Sequence, residues 1–514
     1  MAQTVKKLSR QRSEKGSRIY RSETNGLDSR KANCMDELER AETEARARGG
    51  AAVKKANIKS IISICLASLA LVVAITTMLL VLLGENPPIS RTPEGVSFED
   101  GYCIVEFNEK GTLTKRQVDR MFSNDDVYCS ESVHIKIGDG VTQIGVGAFE
   151  GYYNIASIDI PSSVTSIGND AFAGCTGLTK IEIQTSVTSM GDRVFVNCAE
   201  IKEAHIPAEL VSALKGLAIE RLFVNGGSAI EANAFSSQES LKHLEIAEGV
   251  TAIGESAFAD CTNLYSAVLP VSITTVGDGC FTGTMVKDVT VTGRFVEYFK
   301  DSVEKLTITG DNIEYSACSN MTMLKSVEIK GNVESIGRFA FSGCTALETV
   351  AIPESVTTIN GRCFDGCTSL KSVTLPSKLT SIGEYAFANC GFLKEIVIPK
   401  NVGEIGNHAF HNCTSLESAV LNGGTSIGSY CFNGCTSLKS VTLPDTLKTI
   451  NTHAFSGCAL LNEIFIPISV TEVLYGVFMG NLITTVYCEA PSEPEGWAMG
   501  WDINCQDVVW GYKG

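Results

Sequence analysis

The sequence predicts a solenoid of short, parallel β-strand coils, preceded by one transmembrane α-helix. Three observations lead to this fold class: a motif that recurs every 23 residues, a strand-like apolar pattern within each period, and one long uncharged segment near the N-terminus. A chain of 514 residues could form several ordinary domains. A fixed period of about 20 to 50 residues is instead typical of repeat arrays.

The uncharged segment spans residues 61–83 and is long enough for a bilayer, which needs roughly 20 apolar residues. About 60 residues precede it, too many for an ordinary signal peptide. Lys54, Lys55 and Lys59 stand before it and Glu85 after it, which favours a cytoplasmic N-terminus. We therefore expect a signal-anchor helix at 58–84. A buried helix of a soluble core is the alternative, but no other long helical pattern could cover it.

Charge is divided between the two sides of this segment. The chain has 42 basic and 58 acidic residues, yet residues 1–59 hold 15 basic and 8 acidic ones. Residues 1–57 are predicted to be a largely disordered, basic cytoplasmic tail. The acidic charge of the remaining residues argues against nucleic-acid binding. We expect this part of the chain at the cell surface, with the membrane as a partner.

Phenylalanine marks the repeat. Most steps between these residues are 23, one is 22, and the longer steps of 40 and 60 contain coils without the motif. The series is Phe149, Phe172, Phe195, Phe235, Phe258, Phe281, Phe341, Phe364, Phe387, Phe410, Phe432, Phe455 and Phe478.

Within each period, apolar residues occupy positions 1, 4 and 6 of a short strand, as in Leu370, Val373 and Leu375. This is the L-x-x-L-x-L spacing of leucine-rich repeats. The pattern predicts 17 strands between Val133 and Cys488, with helices at 208–217 and 294–301 in the longer steps. We assign 85–130 to a stem and N-terminal cap, 131–488 to the solenoid and 489–514 to a C-terminal cap.

Glycine occupies nine of the thirteen places four residues before a Phe. Because glycine readily adopts a left-handed backbone, we expect positive φ there. The nine are Gly145, Gly168, Gly191, Gly254, Gly277, Gly337, Gly383, Gly406 and Gly428.

Ile-Gly, Ala-Phe, Gly-Cys-Thr-Ser-Leu and Val-Thr-Leu-Pro at this spacing resemble the BspA-like leucine-rich repeat family of surface proteins. The resemblance covers about 131–488, and the closing segment is similar to those that end bacterial arrays. It implies the solenoid fold and a surface location. Function does not follow, because repeat scaffolds serve many roles.

Nine of the Phe residues are followed three positions later by cysteine. We expect these thiols to be buried and free. Neighbouring coils lie within disulfide range, so bonds between coils are the alternative. They are Cys175, Cys198, Cys261, Cys344, Cys367, Cys390, Cys413, Cys435 and Cys458. The pairs Cys103–Cys129 and Cys488–Cys505 flank the array and are candidate disulfides.

No catalytic motif, cofactor site or metal site is predicted. His408, His411 and Cys413 have ligand-like spacing, but His408 falls where other coils carry Tyr, which favours a role in the repeat surface. Asn320 and Asn412 stand in glycosylation sequons.

The predicted function is binding or adhesion to an extracellular protein or glycan through the sheet face. Position 5 of each strand points outward. Late in the array it forms an uncharged row, the late-array stripe: Val397, Val420, Thr442, Phe465 and Tyr487. Residues that simply suit a sheet surface would give the same row. A receptor that signals through the tail and an extracellular enzyme of unrecognised type remain alternatives.

Overall fold

The computed structural model describes residues 94–99, 102–128, 130–310 and 312–513. The predicted tail and transmembrane helix lie outside these residues, as does Cys129. Within them, no helix combines the length and apolar character that a membrane crossing requires.

Four strands and two helices precede the regular coils. Helix α1 begins with a capping box in which Thr114 and Gln117 bond reciprocally. The elements are β1 (Val96–Glu99), β2 (Tyr102–Phe107), β3 (Gly111–Leu113), α1 (Lys115–Phe122), α2 (Asp125–Tyr128) and β4 (Val133–Ile137).

The first half of the array alternates strands of the main face, three to five residues long, with strands of two to four residues on the other side, and two 3₁₀ helices interrupt it. The elements are β5 (Val141–Ile144), β6 (Ile155–Asp159), β7 (Ser166–Ile167), β8 (Lys180–Glu182), β9 (Ser189–Met190), β10 (Glu203–Ile206), η1 (Ala208–Leu214), β11 (Arg221–Val224), β12 (Ala229–Ile230), β13 (His243–Ile246), β14 (Ala252–Ile253), β15 (Ser266–Val268), β16 (Thr275–Val276), β17 (Asp288–Thr292), η2 (Gly293–Phe299) and β18 (Lys305–Thr309).

The second half repeats the same pair of strands in every coil and ends in a C-terminal strand. The elements are β19 (Ser326–Ile329), β20 (Ser335–Ile336), β21 (Thr349–Ala351), β22 (Thr358–Ile359), β23 (Ser372–Thr374), β24 (Ser381–Ile382), β25 (Glu395–Ile398), β26 (Glu404–Ile405), β27 (Ser418–Leu421), β28 (Ser426–Ile427), β29 (Ser440–Thr442), β30 (Thr449–Ile450), β31 (Glu463–Ile466), β32 (Glu472–Val473), β33 (Thr485–Cys488) and β34 (Asp507–Trp510).

One face of the solenoid is formed by four hydrogen-bonded sheets. They are β1-β2-β4-β6, β8-β10-β11-β13-β15-β17-β18-β19-β21-β23, β25-β27-β29 and β31-β33-β34. Strand β1 is antiparallel to β2, whereas β2 pairs in parallel with β4 and β33 with β34. The 17 strands predicted between Val133 and Cys488 are all present. Helices η1 and η2 stand where helices were predicted, but as short 3₁₀ turns.

A column of phenylalanine rings fills the interior. All thirteen motif residues are buried, and the rings of Phe364, Phe387 and Phe410 stack 5.2 and 5.5 Å apart with nearly parallel planes. Trp501 packs edge-on against Phe478, 6.3 Å away, and closes the C-terminal end of the column. One continuous apolar core therefore runs through the array, as nearest-neighbour stacking requires.

The prediction of positive φ at the nine glycines is wrong. All nine lie among the described residues, and none has positive φ; the left-handed positions fall two residues before and after the Phe, as at Asp170 and Gly174. A Cβ on Gly406 would lie 2.5 Å from the carbonyl carbon of Gly383 in the preceding coil. Glycine is favoured there because adjacent backbones approach closely, although Asn360, Asn451 and Leu474 hold the same position in other coils.

Candidate functional site

The late-array stripe lies on the sheet face, as the strand pattern predicts. Val397 pairs with Val420, Val420 with Thr442, and Phe465 with Tyr487 in parallel register. Val397 is 51% exposed, Thr442 is exposed, and the other three are half-buried. The structure thus places Val397, Val420 and Thr442 in one row of the β25-β27-β29 sheet, and Phe465 with Tyr487 in the adjoining β31-β33-β34 sheet.

A groove of about 540 Å³ adjoins the start of the stripe. It lies where β23 and β25 run side by side without strand pairing, so the sheet opens there. Val397, Thr374 and Leu375 line it with Glu354, Glu395 and Lys400. The sequence did not reveal this groove, because the repeat pattern continues unchanged through both strands.

Tyr512 covers part of the other end of the stripe. Its ring lies 4.5 Å from that of Tyr487 and 6.0 Å from that of Phe465. The C-terminal segment therefore turns two predicted anchors into a half-buried aromatic cluster, and leaves the Val397 end as the more accessible part.

The corresponding early row is charged. Glu182, His205, Phe223 and Glu245 stand opposite one another in register, and the rings of His205 and Phe223 stack 4.3 Å apart. Although burial raises the pKa of Glu203 beside this row, hydrogen bonds from Arg221, His205 and Lys180 lower it to about 2. Charged partners occupy this part of the face, in contrast to the late-array stripe.

The nine cysteines that follow the Phe residues are buried free thiols, as predicted. Each thiol also donates to a carbonyl of the preceding coil: that of Cys390 lies 3.3 Å from the Phe364 oxygen, and that of Cys413 lies 3.2 Å from the Phe387 oxygen. At Asn481 an amide replaces the thiol and donates to the Phe455 oxygen at 2.9 Å. The cysteines thus satisfy buried carbonyls besides packing, a role that the sequence reading missed.

Cys488 and Cys505 carry free thiols in the structure. Burial raises the pKa of both thiols to about 12, and the two groups are close enough to interact. Cys103 is buried, and its intended partner Cys129 lies outside the described residues. Both disulfides stay predictions.

His408 belongs to a row of rings two residues before the Phe column. It stacks between Tyr385 at 4.3 Å and Tyr430 at 5.0 Å, and His411 lies 5.4 Å away. Burial and then His411 lower the pKa of His408. In the described part of the chain, no group of three or more His, Cys, Asp or Glu residues could hold a metal ion. Asn320 and Asn412 are exposed, and their glycosylation stays a prediction.

The fold is a leucine-rich repeat solenoid. Its defining features are parallel coils with an apolar strand pattern, a Phe column and a glycine contact between coils. The sequence model for the BspA type leucine rich repeat region matches residues 121–218, 223–303, 311–424 and 417–492. The chain belongs to this family.

Three bacterial proteins are among the solved structures to which the chain is similar. A leucine rich repeat protein of T. pallidum is 28% identical over 32% of this chain and 79% of its own, with a TM-score of 0.30. One from Bacteroides ovatus is 24% identical over 73% and 93%, with a TM-score of 0.30. A leucine rich cell surface protein from Faecalibacterium prausnitzii is 22% identical over 83% and 96%, with a TM-score of 0.26. Comparison with curated proteins gave no match.

Proposed function

We propose that this repeat protein is anchored in the membrane by residues 58–84 and binds an extracellular protein or glycan through the late-array stripe. The observation that carries the proposal is an uncharged row of paired side chains beside an open groove. Solenoids of this type present extended surfaces for binding and typically act as scaffolds rather than enzymes.

The accessible end of the stripe supplies the proposed contact. Val397 is half-exposed and borders the groove, while Glu354, Glu395 and Lys400 form a polar rim. Apolar surface with a polar rim is the usual composition of a protein interface. Phe465 and Tyr487 add aromatic area, which tends to dominate binding energy.

The test compares two sets of substitutions in the full-length chain. Val397→Ser, Val420→Ser and Phe465→Ser are combined in one variant. The matched control combines Asp159→Ser with Glu182→Ser, the exposed position-5 residues of the early strands β6 and β8. Both proteins are first shown to fold by circular dichroism, and then applied to arrays of extracellular proteins and glycans. The stripe variant should bind at least about tenfold more weakly, equivalent to 1.4 kcal/mol, because it removes the apolar anchors.

The control variant should retain most of the binding. If both variants lose binding equally while folded, the late-array stripe is not the site.

A further inference from the structure

In regular coils, each Phe turn is paired to the next one by backbone hydrogen bonds. The N–H groups of Arg362, Phe364 and Gly366 donate to carbonyls of the following coil at 2.8, 2.8 and 2.9 Å. The carbonyls between these donors face the preceding coil instead, since Cys363 and Asp365 accept from the N–H groups of Phe341 and Gly343. The turn, with positive φ at Arg362 and Gly366, therefore offers an edge of backbone donors that the next coil covers.

This pairing stops after Phe195. The following coil carries β10 and η1 where a Phe turn would stand. Among the described residues, no backbone carbonyl accepts from the N–H groups of Arg193, Phe195 or Asn197. On its other side the same turn is fully paired, since the carbonyls of Asp192, Val194 and Val196 accept from the preceding coil at 3.0, 3.0 and 2.8 Å. The turn is thus an open edge inside the array.

A cleft of about 830 Å³ lies along this edge. Residues 190–193 and 195–199 form one wall, and η1 with the residues after it forms the other. That second wall presents the small side chains of Ser212, Ala213 and Ala218 and the apolar side chains of Leu210 and Leu217. Small residues leave room for a backbone to approach the open donors.

Charged groups of both signs border the cleft, including Asp192, Lys215 and Glu231. They provide no strong bias toward an anionic or cationic ligand. The distinctive chemistry is the row of three backbone donors at two-residue spacing, which matches the row of carbonyls on a second Phe turn.

We propose that this cleft binds a peptide segment that takes the conformation of a Phe turn and stacks on the open edge. Alternate carbonyls of the peptide accept from Arg193, Phe195 and Asn197, in place of the missing coil. The site goes beyond the proposed sheet-face binding, because it lies on the turn side of the coil.

The second interruption of the array differs. After Phe281 the carbonyl partners are again missing among the described residues, but η2 places the ring of Phe299 4.7 Å from that of Phe281. The Tyr298 hydroxyl also donates to the Val276 carbonyl at 2.9 Å. Aromatic side chains thus pack against that turn, whereas η1 presents small ones.

The test measures amide hydrogen exchange in the full-length chain. The probe is an acetylated and amidated peptide of residues 383–391 carrying Cys390→Ser. In the native array, its Glu384, Ala386 and Ala388 carbonyls accept from the preceding turn. At about ten times its Kd, the peptide should slow exchange at Arg193, Phe195 and Asn197 about tenfold. The bonded amides of Arg362, Phe364 and Gly366 should not change and so serve as an internal reference.

Two variants fill the cleft. Ser212→Trp and Ala218→Trp should each abolish the protection, while Glu297→Trp on an exposed site of η2 should leave it intact. Unchanged exchange at 193, 195 and 197 with saturating peptide would overturn the proposal, as would full protection in folded cleft-filled variants. Concentration-dependent protection without peptide would also overturn it, since a second copy of the chain would then be the occupant.

Discussion

Replacing Gly406 by alanine tests the close approach of neighbouring coils. The new Cβ would lie 2.5 Å from the Gly383 carbonyl carbon and 2.6 Å from the Glu384 nitrogen. Both are backbone atoms, so no flexible side chain can move aside. The coils are also held by a hydrogen bond from the Gly406 N–H to the Ile382 carbonyl at 2.9 Å. Overpacking of this kind costs about 1–3 kcal/mol, and we expect Gly406→Ala to lose that amount of unfolding free energy.

Asparagine at the same site should be less damaging, because two coils already contain it. At Asn360 and Asn451 the equivalent backbone bond lengthens to 3.1 Å, and the side-chain amide donates to the same carbonyl at 2.9 and 2.8 Å. A net hydrogen bond contributes about 0.5–1.5 kcal/mol. Gly406→Asn should therefore recover about that much of the stability lost in Gly406→Ala.

Gly403 provides the matched control, three residues away. A Cβ there would find its nearest atom, the Thr380 oxygen, at 4.0 Å. Gly403→Ala should change stability by no more than about 0.5 kcal/mol. Urea denaturation of the four proteins, compared at their midpoints with a common slope, measures the differences. Equal midpoints for Gly406→Ala and Gly403→Ala would refute the close-approach explanation, and an Asn variant as unstable as the Ala variant would refute the compensating hydrogen bond.

Two further predictions concern the thiols and the membrane topology. Burial raises the pKa of Cys344 and Cys458 to about 12 and that of Cys261 to about 11. A thiol in the unfolded chain has a pKa of about 8.5. These thiols should therefore leave the unfolding free energy unchanged below about pH 8.5. The free energy should fall as pH rises above that value, because only the unfolded thiols then release protons. Midpoints of urea unfolding that stay level from about pH 7.5 to 9.5 would contradict this. The proposed anchor at 58–84 predicts that protease added to intact cells removes a C-terminal epitope and spares an N-terminal one, and the opposite pattern would reject the orientation.

The periodic part of the molecule was predictable from residues alone. The 23-residue spacing of Phe, the apolar strand positions and the cysteine phase led to the buried column, the 17 face strands and the free thiols. They did so because each coil contacts mainly its neighbours, so one repeated set of local contacts is written into the sequence many times. The register of Val397 with Val420 follows from the same repetition.

The tertiary structure decided what depends on distances between coils or on departures from the repeat. Gly406 lies against the Gly383 backbone, and no sequence pattern distinguishes that contact from a left-handed turn. Tyr512 covers Phe465 and Tyr487 because the C-terminal segment lies across the strands before it. The open donors at Arg193, Phe195 and Asn197 arise where η1 replaces a turn. Periodicity in sequence shows that the Gly406 contact recurs but not its geometry. The Tyr512 contact and the open donors occur where the repeat changes, so periodicity does not report them.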